Sequence, residues 1–106
     1  MILVQVFRDN NEFKKITVEG HSGYAEAGKD IVCSSVSTAM ILTINLLEKL
    51  GCKMECNENP DIPLISVIIK ESDSLYQTVL ENLVISLSEI AMQYKKYLQI
   101  KTKFWN

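Results

Sequence analysis

The segment "DIVCSSVSTAMILTINLLEKLG" (Asp30–Gly51) decides the fold, because it predicts a long helix in the middle of a chain of short strands. No Gly or Pro occurs between Ile31 and Leu50. Asp30 stands where an N-cap is expected, and Gly51 stands where the residue after a C-cap is expected. The apolar residues of this segment recur at helical spacing: Val32, Val36, Ala39, Met40, Leu47 and Leu50. We therefore predict a helix that buries one face.

Strand patterns flank this helix on both sides. "ILVQVFR" and "FKKITVE" are separated by "DNNE", which predicts a β-hairpin that turns at Asp9–Asn11. After the helix, "CKMECNE" and "LISVIIK" predict two strands joined by the turn "NPDIP". A second helix is expected to begin at the capping box Ser74-x-x-Gln77, and "YLQIKTK" predicts a last strand. The predicted apolar stripe of the second helix is Leu75, Val79, Leu83, Leu87, Ile90, Ala91 and Tyr94.

The order ββαββαβ predicts an α+β fold with two helices packed on a mixed β-sheet. The 106 residues are enough for a single domain over residues 1–106 with its own core. A net charge of −2 gives no broad basic surface, so we expect no direct contact with nucleic acid. The pattern requires no cofactor.

The cellular location is predicted from the cysteines and from hydropathy. Three cysteines, an odd number, and an N-terminus without a signal-peptide pattern favour reduced thiols in the cytoplasm. The longest apolar run, "AMILTINLL", is interrupted by Thr43 and Asn45 and is too short to span a bilayer. We therefore expect no membrane segment.

The loop "GHSGYAEAGK" (Gly20–Lys29) has no regular pattern, and such long loops are usually functional or disordered. It contains the phosphate-binding pattern G-x-x-x-x-G-K from Gly23 to Lys29. In nucleotide-binding loops Ser or Thr follows, whereas here Asp30 places a carboxylate against the phosphates. We therefore set nucleotide binding aside.

The loop and the helix together bring a histidine and a cysteine to one region. Taken singly, His21 is a loop residue and Cys33 a small core residue. Taken together, Cys33 lies in the first helical turn, where the helix dipole favours a thiolate. The imidazole of His21, at the end of the second strand, can accept the thiol proton and return it to a leaving amine. Backbone amides near Cys33 are candidates for an oxyanion hole.

Asp30 has two interpretations that the sequence leaves open. It can cap the helix, or its carboxylate can orient the imidazole of His21, as in catalytic triads.

The stretch "GHSGYAEAGKDIVCSSVS" (Gly20–Ser37) resembles the signature of the ribosomal-processing cysteine protease Prp family. The resemblance implies a homodimeric bacterial cysteine endopeptidase that removes an N-terminal extension from large-subunit ribosomal protein twenty-seven. It implies Cys33 as nucleophile, His21 as base and Asp30 as supporting acid. The alternative is a non-catalytic ribosome-assembly factor that binds the same protein.

Substrate contacts are expected from the glycine loop. Gly23 and Gly28 bracket a segment, Ser22–Lys29, that we expect to close over the bound peptide as a lid. Tyr24 is expected to cover an apolar peptide, and Glu26 to hold a basic residue of the substrate.

Two further expectations concern packing. The first helix is apolar around most of its middle, which predicts a homodimer that buries the surplus face. Cys52, Met54 and Cys56 share one strand face and include soft metal ligands, but core packing explains them better and we expect no metal site.

Overall fold

The computed structural model describes residues 1–26, 28–59, 61 and 63–106. The elements are β1 (Ile2–Asp9), β2 (Glu12–Glu19), α1 (Ile31–Lys49), β3 (Met54–Asn59), β4 (Leu64–Ile69), α2 (Ser74–Gln93) and β5 (Leu98–Phe104). The strands form one sheet in the order β3-β4-β2-β1-β5. Only the β1–β5 pair is parallel among these neighbours. The predicted ββαββαβ order and the mixed sheet are confirmed.

One face of the sheet carries the core. Val4 of β1 pairs with Val18 of β2 and with Ile100 of β5, so apolar side chains of three strands lie side by side. Both helices place their buried residues in the same cluster as these strand residues. The fold is therefore a two-layer arrangement, and the N-terminus of α1 lies against the end of β2.

Helix α1 follows its predicted pattern except at its end. Val32, Val36, Met40 and Leu47 are buried, whereas Leu50 is exposed because it is the C-cap, after which Gly51 leaves the helix with a φ of 86°. By length and composition alone α1 is apolar enough to cross a membrane. Its buried residues belong to the core on the sheet, so its inner face is already occupied.

Helix α2 begins differently from the capping-box prediction. Asp73 is the N-cap, and its carboxylate accepts a hydrogen bond from the amide of Leu75 at 2.8 Å. The side chain of Gln77 instead bonds both backbone groups of Phe13, at 2.6 and 3.0 Å. The buried stripe is accordingly Tyr76, Leu80, Leu83 and Leu87, and Leu75 is exposed. A tertiary contact to β2 thus sets the rotation of the helix.

The strand β3 is shorter and more exposed than predicted. Cys52 precedes the strand and is buried in the core, whereas Cys56 is exposed because β3 is an edge of the sheet. The core-packing prediction is therefore correct for Cys52 and wrong for Cys56. In the described part of the chain, no group of three His, Cys, Asp or Glu side chains can hold a metal ion. Pro60 and Ile62 of the predicted turn lie outside the described residues.

Candidate active site

The position of His21 follows from the glycine that precedes it. Gly20 has a φ of 95°, a backbone conformation that side chains rarely adopt. A Cβ atom there would lie 2.5 Å from the carbonyl oxygen of Met1, and the Gly20 amide donates to the carbonyl of Pro63 at 2.9 Å. Only glycine fits this crossing. The chain therefore leaves β2 at this point and presents His21 as an exposed side chain.

The position of Cys33 follows from the cap of α1. Asp30 is the N-cap, and its Oδ1 accepts hydrogen bonds from the amides of Val32 and Cys33, both at 3.0 Å. Cys33 thus lies in the first turn, as predicted, and it is partly exposed. The amide of Cys33 is occupied by this cap, so it is not free to bind an oxyanion in the arrangement described.

Ser22 connects the loop to the cap and to the thiol. Its hydroxyl donates to Oδ2 of Asp30, and its amide points at Sγ of Cys33 at 3.5 Å. The hydroxyl oxygen also lies 3.6 Å from Sγ. The amide of Ala25 completes the contacts of Oδ2 at 3.4 Å. A loop residue therefore fixes the carboxylate and touches the sulfur at the same time.

These contacts define what Asp30 does in this structure. Oδ1 accepts hydrogen bonds from the first turn of α1, and Oδ2 accepts hydrogen bonds from the loop. None of the hydrogen bonds among the described residues joins Asp30 to His21. The hydroxyl of Ser22, followed by the amide of Cys33, lowers the pKa of the Asp30 carboxyl to about 2. The carboxyl is therefore an ionised anchor at neutral pH and a poor proton acceptor.

Two cavities meet at Cys33. The first, here called the polar cleft, has a volume of about 400 Å³ and is lined by His21, Gly23, Ala25, Gly28, Asp30, Cys33 and Ser34. The three predicted catalytic residues thus line one cleft. The second, here called the apolar groove, has a volume of about 410 Å³ and is mainly bounded by α1, the start of β1, the end of β2, β3 and β4. Its lining residues are Ile2, Val18, Gly20, Cys33, Val36, Ser37, Glu58, Asn59, Pro63, Leu64 and Ile65.

The four predicted substrate-binding residues do not all line one cavity in the structure. Gly23 and Gly28 line the polar cleft, both with positive φ. The ring of Tyr24 instead packs edge-on against Tyr94 and Tyr97, with ring centroids 5.6 and 5.2 Å apart. Glu26 is exposed and lines neither cavity. Ala27, in the middle of the predicted lid, lies outside the described residues.

Sequence reasoning missed Ser22 and the part of the apolar groove that is lined by Glu58, Pro63 and Leu64. Nothing in the pattern around Ser22 indicates a contact with a side chain eight residues ahead. For Glu58 a weak signal exists, because strand alternation places it on the same side as Cys56. Pro63 and Leu64 line the same groove as Cys33 because β4 pairs with β2 and the Gly20 amide bonds the carbonyl of Pro63.

Comparison with known protein families finds a matching family profile. The profile described as cysteine protease Prp matches residues 1–99, nearly the whole chain. No curated protein sequence matches significantly.

Solved structures share the fold. An essential ribosomal processing protease Prp from S. aureus, in complex with a covalently linked product peptide, superposes with a TM-score of 0.92 at 22% identity. That comparison covers 97% of this chain and 100% of the other. The same protease with a substrate peptide gives 0.87 at 21% identity, with the same coverage. A protein of Streptococcus mutans gives 0.82 at 24% identity over 99% of this chain and 96% of its own.

Proposed function

We propose that this chain, which belongs to the cysteine protease Prp family, removes the N-terminal extension of large-subunit ribosomal protein twenty-seven during ribosome assembly. It is a cysteine protease. The observation that carries the proposal is the position of Cys33, in the first turn of α1, in a cleft that His21 also lines. The substrate is proposed from the sequence resemblance, and the S. aureus relative is described as a ribosomal processing protease.

The proposed reaction uses Cys33 as nucleophile and His21 as base. His21 takes the thiol proton, and Sγ bonds to the scissile carbonyl carbon to give a tetrahedral intermediate. As the carbon–nitrogen bond breaks, the imidazolium returns the proton to the leaving amine, and a thioester remains on Cys33. Water then attacks the thioester with His21 again as base, which releases the new carboxylate and regenerates the thiol.

Asp30 acts on Cys33 and His21 indirectly, through Ser22 and the first turn of α1. Its charged carboxylate accepts a hydrogen bond from the Ser22 hydroxyl and another from the amide of Cys33, which caps the first turn of α1. The Ser22 amide then stays directed at Sγ, at a distance of 3.5 Å. We therefore assign Asp30 as a positioning residue and His21 as the base.

The apolar groove suits the peptide segment next to the scissile bond. Val18, Val36 and Ile65 give it an aliphatic wall, and Cys33 lies at its edge. Burial of one aromatic or aliphatic side chain there is worth about 1.5–3 kcal/mol, enough to select an apolar residue. We propose that the peptide lies across Cys33 with an apolar side chain in the groove.

We further propose a cytoplasmic homodimer. The outer face of α1 exposes Ile41, Leu42 and Leu46, and the exposed fraction reaches 65% for Leu42. A second copy that packs on this face removes the apolar patch from water. The cytoplasm provides both the ribosomal precursor and the reducing conditions that suit three free cysteines.

The test is cleavage of the precursor followed by mass spectrometry. Wild-type protein should shorten the precursor at one bond, and Cys33→Ala and His21→Ala should each abolish cleavage while the melting temperature is kept. Cys56→Ala is the matched control, because Cys56 is exposed on β3 and lines neither cavity. Cleavage by Cys33→Ala would reject the assigned nucleophile, and an intact precursor with the wild type would reject the proposed substrate.

A further inference from the structure

The apolar groove contains one ionisable side chain besides the thiol. Among its described lining residues, aliphatic and small side chains predominate, and only Glu58 carries a charge at neutral pH. The side chain of Glu58 is exposed, so a cationic group of a bound peptide can approach its carboxylate from solvent. The described lining of the groove therefore combines a mainly apolar surface with a single negative charge.

Strand geometry places Glu58 at this position. β3 is an edge strand, and Glu58 pairs with Ile65 of β4, which also lines the groove. The other acidic residue of β3, Glu55, is already paired with Lys70, with 3.2 Å between nitrogen and oxygen. None of the ion pairs among the described residues involves Glu58. Its carboxylate is thus available to a bound peptide.

We propose that Glu58 is a specificity-determining residue that selects a lysine or arginine close to the scissile bond of the peptide. This rests on the proposed function, since it assigns a further feature of the same substrate. An extended peptide advances about 3.3 Å per residue, so a cationic side chain a few positions from Cys33 can reach the rim of the groove. Glu26, the carboxylate expected from the sequence to do this, lines neither cavity.

The first experiment compares peptides that differ at one position. A cleavable peptide is made with lysine or glutamine at each position on either side of the scissile bond. At one position or more, wild-type protein should prefer lysine by about fivefold in kcat/KM, the upper range for an exposed ion pair. The preference should appear mainly in KM, because the ion pair is present in both ground and transition states. It should weaken as salt screens the charges.

Substitutions test whether Glu58 is the carboxylate that selects lysine. Glu58→Gln should cleave the lysine and glutamine peptides equally, and Glu58→Lys should prefer a glutamate peptide. Glu81→Gln, an exposed change on α2, should keep the wild-type preference. A lysine preference that survives Glu58→Gln, or that is lost in Glu26→Gln instead, would overturn the inference.

Binding to Cys33→Ala separates this inference from the proposed function. This variant should bind the lysine peptide about fivefold more tightly than the glutamine peptide, and adding Glu58→Gln should remove the difference. If the wild type cleaves none of the peptides but this binding difference is found, the proposed function fails and the role of Glu58 stands. Equal binding in both backgrounds would reject Glu58 even if cleavage is observed.

Discussion

At Cys33, the helix position and the loop act on the same sulfur atom. Cys33 lies in the first turn of α1, and the amide of Ser22 is directed at its Sγ at 3.5 Å. The other two cysteines lack this setting. Desolvation raises the pKa of the thiols of Cys52 and Cys56, and neighbouring carboxylates add to the rise.

Alkylation should therefore select Cys33. Iodoacetamide reacts with thiolates, and a raised pKa leaves Cys52 and Cys56 with less thiolate at neutral pH. Peptide mapping of native protein after brief exposure should find Cys33 labelled at least about tenfold faster than either other cysteine. Urea-unfolded protein is the control and should show equal labelling of all three. Equal labelling in the native state would contradict an activated Cys33.

Asp30 should make stability depend on pH in the acid range. Its pKa is about 2 in the folded protein and 3.8 ordinarily. A lowered folded-state pKa means that the carboxylate contributes stability above the ordinary value, and that this contribution is lost as pH falls from about 4 toward about 2. Melting temperatures across this window should fall less in Asp30→Asn than in wild type. Asp9→Asn, an exposed change, should parallel the wild type.

The same Asp30→Asn variant separates the two roles of this residue. Asn caps helices about as well as Asp, so a positioning role predicts a loss of about tenfold in kcat/KM. A carboxylate that orients His21 predicts a loss of about ten-thousandfold, as in a serine protease triad. We expect the smaller loss, because both oxygens already bind the cap and the loop.

At the scale of elements, the side chain of Tyr24 joins the glycine loop to the segment between α2 and β5. Tyr24 packs on Tyr94, the C-cap of α2, and on Tyr97, just before β5. Such edge-on aromatic pairs contribute about 0.5–1.5 kcal/mol each beyond their buried area. The closing of residues 22–29 over a peptide stays a prediction, and these ring contacts are where we expect the loop to be held.

Removal of the Tyr24 ring should separate peptide cleavage from thiol chemistry. Tyr24→Ala should reduce cleavage by about tenfold, because the loop is no longer held beside the polar cleft. Its reaction with iodoacetamide should stay within about twofold of wild type, since a small reagent needs no ordered loop. Tyr24→Phe keeps the ring and should behave as wild type. A parallel loss of both reactions, or of neither, would show that the loop is scaffold.

At the scale of the whole molecule, the two helices differ in what their outer faces expose. α1 has adjacent exposed apolar side chains at Ile41 and Leu42, with exposed fractions of 53% and 65%. α2 exposes Leu75, Ile85 and Met92, which are widely spaced along its length. Only the patch on α1 is continuous enough to suit a symmetric interface.

Sedimentation should therefore give the mass of a dimer at micromolar concentration, and Leu42→Glu should give a monomer. A buried carboxylate at the interface, without a partner, opposes association. Ile85→Glu is the matched control on α2, with half of the Ile85 side chain exposed, and should remain dimeric. A monomeric wild type would contradict the dimer, and a monomeric Ile85→Glu variant would move the interface to α2.

The sequence alone determined the features that depend on residues close together in the chain. The lack of Gly and Pro after Asp30, the helical spacing and Gly51 set the bounds of α1, because capping and periodicity act within a few residues. The same local rules placed Cys33 in the first helical turn and His21 after β2. The order of elements followed from these patterns, whereas the family was identified through the resemblance of one short segment.

The tertiary structure alone decided which of these residues meet. Gln77 bonds to Phe13, 64 residues away, and so replaces the predicted capping box. Ser22 takes the carboxylate oxygen of Asp30 that the sequence left available for His21. Glu58 enters the groove because β3 pairs with β4, and β4 with β2. Such contacts depend on strand pairing and helix rotation across the whole core, and no short stretch of sequence contains that information.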